Sequence, residues 1–98
     1  MWHRDRPLSF PARVNGQISS VVANDARLTW TPAAPSMRPP YPESETINVV
    51  DLLHASRTDL GTDAVLELWT LHRVVRLLAD ATLIDRLTVI LDIVERPQ

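Results

Sequence analysis

The alternation of apolar and polar residues changes character twice along this chain. From Leu8 to Thr31, short runs alternate around turn-forming residues. Asn15-Gly16 is the clearest turn, because a type I′ turn needs positive φ at both central positions and this pair tolerates it. A two-residue loop there sets Val14 opposite Gln17, Ala12 opposite Ser19 and Phe10 opposite Val21. Ala23-Asn24-Asp25 offers a second turn, leading into Arg27–Thr31 with Leu28 and Trp30 on one face. The segment predicts a three-stranded antiparallel meander. Pro11, without an N–H, would confine the first strand to a sheet edge. So small a sheet must lean on something else.

Residues 32–42 hold Pro32, Pro35, Pro39, Pro40 and Pro42, five of the eight prolines. Proline cannot donate to a ladder and favours an extended path. The stretch reads as a stiff connector or as a strap laid along a partner. Pro39-Pro40-Tyr41-Pro42 carries the PxxP spacing, a short and weak match.

From residue 47 the period turns helical. Asn48, with Asp51 three residues on, predicts the start of a short helix whose apolar side is Val49, Val50, Leu52 and Leu53. Gly61 closes that connection. Over residues 63–79, Ala64, Leu68, Leu71, Val75 and Leu78 step by four and three, as one stripe of a longer helix. Leu66, Trp69 and Leu77 form a second apolar side that one neighbour does not cover, which makes them candidate partner contacts. Asp80-Ala81-Thr82 breaks the register, and continuing one helix through it would swing the stripe by roughly 120°. A last helix from Leu83 to about Glu95 would take Thr82 and Asp85 as a capping pair and Leu83, Leu87, Ile90 and Val94 as its seam. The alternation of Leu87, Val89, Leu91 and Ile93 keeps a strand open as the rival reading there.

The expected architecture is therefore α+β. An N-terminal arm and β meander (1–31) and a Pro-rich connector (32–46) precede a helical region (47–98), in which one short helix leads a helical hairpin.

Composition narrows the chemistry. The chain has 98 residues and no Cys, so disulfides and thiolate metal sites are excluded. No apolar run reaches the roughly 20 residues of a membrane span, and Met1–Pro7 lacks the apolar core of a signal peptide. A cytoplasmic location, or incorporation in a virion, is the expectation. All ten basic residues are Arg and the net charge is −2. Residues 47–98 carry five Arg against six Asp and two Glu, a poor match for a phosphate backbone.

His3, His54 and His72 make no close pair of the kind a metal site uses. With only Gly16 and Gly61, no phosphate-cradling Gly-rich loop can form. Neither a catalytic residue, a metal nor a cofactor is expected. The leading expectation is a non-catalytic interaction or structural subunit of a larger assembly, such as a bacterial multiprotein complex or a virion. It would bind a protein partner, or itself, through Leu66, Trp69, Leu77 and the strap Pro39, Pro40, Tyr41 and Pro42. The alternative is a nucleic-acid-associated regulator gripping phosphate through Arg4, Arg6 and Arg13.

Overall fold

Asn15 and Gly16 both take positive φ, 51° and 86°, and the strands on either side close on them in the register the alternation predicts. β1 (Leu8–Val14) pairs with β2 (Gln17–Ala23), Val14 facing Gln17 and Phe10 facing Val21. Asn15 also ties this turn to a distant strand. Its N–H donates to the Arg76 carbonyl at 2.9 Å, and its Oδ1 accepts from the Arg76 N–H at 3.0 Å. At the next turn the Asn24 side chain accepts from the N–H groups of Ala26 and Arg27, at 2.8 and 2.9 Å. That leads into β3 (Arg27–Pro32).

The computed structural model describes residues 7–33 and 43–91. Beyond β3 the chain forms β4 (Glu45–Asn48), a single 3-10 turn (Val49–Asp51), β5 (His54–Leu60), β6 (Asp63–Trp69), β7 (Val74–Asp80) and one helix, α1 (Ala81–Ile90). All seven strands join one antiparallel sheet in the order β4-β3-β2-β1-β7-β6-β5. Laid flat, such a sheet would hold its edge strands about 29 Å apart. The edges are β4 and β5, joined only by residues 49–53, a length that reaches roughly 20 Å. The sheet therefore curls into a half-barrel.

The expected α+β class with a helical hairpin is thus corrected to a mostly antiparallel β fold, in which residues 63–80 form a β hairpin and one helix follows. Ala64, Leu66 and Leu68 on β6, with Val75, Leu77 and Ala79 on β7, are all buried, and the residues between them face outward or are half-buried. The four-three stripe dissolves: Ala64, Leu68 and Val75 enter the core, Leu71 stands on a turn and Leu78 lies on the outer face. Ala, Leu and Glu favour helices locally, but pairing and burial on the sheet decide. The expected short helix at Asn48 is corrected as well. Asn48 is extended, its side chain caps nothing, and only the 3-10 turn follows it. Gly61, at φ 71°, is the first central residue of the β5–β6 turn, as a type II′ turn requires.

Pro11 does not mark an edge. β1 lies between β2 and β7, but it pairs with β7 only through Arg13 and Val14. By the alternation set at the hairpin turn, Pro11's nitrogen points to the β7 side, where the ladder has already stopped. The missing donor costs no ladder bond.

α1 packs against β1, β6 and β7. Asp80, rather than Thr82, caps it, accepting from the Thr82 N–H at 2.8 Å. The helix buries Ile84, Leu87 and, at its C-cap, Leu91, while Leu83 and Ile90 are only half-buried, so the seam runs one residue off the expected line. The strand alternative fails for Leu87 to Ile90, which are helical. Ile84, Leu87 and Leu91 share a single core with Phe10, Val14, Val21, Leu28 and Trp30.

Asn15 gives a direct check on the turn. Asn15→Gly keeps the backbone conformation but loses the bond from Arg76, a cost of about 1 kcal/mol. Asn15→Ala adds about 1 kcal/mol of left-handed strain. Urea unfolding should rank native, Gly and Ala variants in that order.

Candidate functional site

The β6–β7 turn has no Gly, Pro or Asn. Thr70 makes it instead: its Oγ1 accepts from the Arg73 N–H at 3.2 Å, and its own N–H donates to the Arg73 carbonyl at 2.9 Å. Leu71 and His72 are left at the tip. Across from them the 3-10 turn is tethered at both ends, Val49 N–H to the Ala26 carbonyl at 2.9 Å and Leu53 N–H to the Trp69 carbonyl at 2.8 Å. Between these two segments opens a cleft of about 610 Å³. Three of its lining side chains are large, apolar and turned to solvent: Val50 (90% exposed), Leu71 (79%) and Leu53 (69%).

Arg73 holds the cleft floor together. Its guanidinium donates to Glu45 Oε1 at 3.0 Å and to the Thr46 carbonyl at 2.9 Å, and lies 5.2 Å from the centroid of the Trp30 ring. It therefore fastens the β6–β7 turn to the β4 edge and covers a buried aromatic face, a cation–π contact. A second clasp works on the other edge strand of the sheet, outside the cleft. Arg57, on the inner face of β5, bonds Asp85 on α1 and Asp59 on its own strand, with its side chain only 20% exposed. The bond to Asp85 pushes the Arg57 pKa up despite opposing desolvation, so this cation is permanent.

The expected partner contacts separate in space. Leu66 and Leu77 are buried in the chain's own core and cannot touch a partner, a correction that follows from their inward parity on β6 and β7. Trp69, on the outward parity, is 42% exposed and tilts against His54 with ring centroids 6.4 Å apart. Pro39, Pro40, Tyr41, Pro42, Arg4, Arg6 and His3 lie outside the described residues. Arg13 is exposed on the outer face of β1, beside a second concavity of about 510 Å³ over Val65, Val74 and Leu78. Its neighbour there, Arg76, is engaged with Glu67 at 3.0 Å. His72 lines the cleft at the turn tip. Among the described residues no three His, Cys, Asp or Glu gather to hold a metal ion, and no helix is long and apolar enough to cross a membrane.

Val50, Leu53, Leu71 and Arg73 are the residues that sequence reasoning did not place at a site. Val50 and Leu53 read as one side of a helix and Leu71 as part of a stripe. The available signal was period-two alternation on both sides of residues 70–73, which puts an apolar residue at a turn tip. No family model, no curated protein and no solved structure matches the chain.

Proposed function

We propose that the chain is a non-catalytic protein-interaction subunit, docking a protein partner on the apolar end of its half-barrel. The supporting observation is the convergence of Val50, Leu53 and Leu71, each at least 69% exposed, around one cleft. Scattered exposed apolar side chains are ordinary, but a cluster at a concave end is where partners bury surface. Arg73 and the tethers at Val49 and Leu53 hold the two sides of the cleft in place before binding, which lowers the ordering cost of association. Membership of a larger assembly, in the cytoplasm or within a virion, belongs to the same proposal.

The test compares native chain with Leu53→Asp and Leu71→Asp in affinity capture from the native host. Both positions are exposed, so both variants should keep native unfolding midpoints. The partner retained by the native chain should be lost by both. Retention of the same partner by both variants would contradict the proposal.

A further inference from the structure

Two strands end the sheet, and they end it differently. β4 is short, and the Arg73 guanidinium already takes the Thr46 carbonyl on it. β5 spans seven residues, and among the described residues no strand pairs with its outer edge. The two-residue turn at Gly61-Thr62 makes Leu60 and Asp63 a hydrogen-bonded pair. Alternation from there directs the backbone N–H and C=O groups of Ala55, Arg57 and Asp59 away from β6. Such an edge is a template for another strand.

We propose that β5 pairs with β5 of a second copy of this chain, antiparallel about a two-fold axis at Thr58. The outward groups allow three two-fold registers, and charge separates them. An axis at Arg57 sets Arg57 directly against its own copy, a repulsive arrangement. An axis at Ser56 sets Arg57 against Ala55 and leaves Asp59 beyond the partner strand's start at His54. An axis at Thr58 sets Arg57 against Asp59 twice, once on each side, with Thr58 facing Thr58 between them. Opposite charges and Thr–Thr contacts are both favourable cross-strand pairs. An inward-facing cation on an edge strand also discourages indiscriminate pairing. Arg57 is already bonded to Asp59 and Asp85 of its own chain, and in this register the Asp59 of the second copy joins them as a further acid opposite it. Its own sequence supplies that acid two residues away. The two-fold makes the contact closed and self-limiting, so it yields a dimer rather than a fibre. This contact uses the Leu60 end of β5, whereas the apolar cleft adjoins the strand's other end, so the two surfaces are separate.

Sedimentation equilibrium of the full chain reads the dimer, and three variants test its geometry. Asp59→Arg places like charges opposite each other and should give monomer at concentrations where the native chain is dimeric. Asp59→Pro should do the same, because the Asp59 N–H faces outward and its loss breaks no bond to β6. Tryptophan emission checks that both variants stay folded, and Asp59→Arg decides if the proline variant does not. Thr58→Cys should cross-link to a covalent dimer under mild oxidation, since this non-hydrogen-bonded pair brings Cα atoms to about 4.5 Å. The chain has no other Cys to confuse the result. Leu71→Asp should leave the dimer intact, so a failure at the cleft and a failure here are distinguishable. A native monomer, a dimer surviving in the folded Asp59 variants, or cross-linking through Ser56→Cys in place of Thr58→Cys overturns the proposal.

Discussion

Leu77→Asp yields a chain that no longer unfolds as a cooperative unit, because it has no folded state to leave. Leu77 is fully buried opposite Leu66, and it also faces Val14 across the short ladder that joins the two halves of the sheet. Truncating such a leucine costs about 3 kcal/mol. Setting a carboxylate in its place adds several kcal/mol of desolvation, or forces the acid to stay protonated. Together these approach the roughly 5–10 kcal/mol that holds a domain of this size. Leu66→Asp should behave alike. Leu71→Asp, 79% exposed at the turn tip, should move stability by less than about 0.5 kcal/mol. Urea titration followed by circular dichroism separates the outcomes. If Leu77→Asp folded with a normal midpoint, the residue would lie on a surface and the inward parity of β7 would be wrong.

Arg73→Ala is expected to cost about 2–3 kcal/mol, a large effect for a partly exposed side chain. Three contacts go at once: the ion pair with Glu45, the bond to the Thr46 carbonyl and the cover over Trp30. A cation–π contact contributes roughly 1 kcal/mol and a hydrogen bond from a charged donor about 1.5; the Glu45 pair is open to solvent and adds little. Arg73→Lys keeps the charge but not the planar fork, so it should recover less than half of the loss. With Trp2 and Trp69 replaced by Phe, Trp30 alone reports the event. Its emission should shift to the red as water reaches the ring, and the urea midpoint should fall. An unmoved emission maximum with an unmoved midpoint would show that the clasp contributes nothing.

The N-terminal meander is legible in the residues because its turns are written in side chains with special backbone roles. Asn15-Gly16 fixes a register, and Asn24 closes the next turn by bonding its own backbone. The second half hides its turns. Thr70-Leu71-His72-Arg73 carries no glycine, proline or asparagine, and the hydroxyl of Thr70 does the work, a weaker signal. Strands built from Ala, Leu, Glu and Asp resemble a helix locally, and the true period of two in Ala64-Val65-Leu66-Glu67-Leu68 competes with an accidental four-three stripe. Pairing between β1 and β7, some sixty residues apart in the chain, resolves the competition, and no local pattern reveals it. The same gap explains the site. Once Leu66 and Leu77 are recognised as core, Val50, Leu53 and Leu71 are the exposed apolar side chains that line one cleft, brought together only by the curl of the sheet.

The half-barrel, its cleft and its free β5 edge all depend on residues 63–80 being two paired strands, and nuclear Overhauser effects between backbone protons report that pairing most directly. Glu67 and Arg76 face each other as a non-hydrogen-bonded pair, so their Hα protons should give a strong cross-strand signal. A run of Hα(i)–Hβ(i+3) signals through residues 64–78, with no contact between Glu67 and Arg76, would contradict the account.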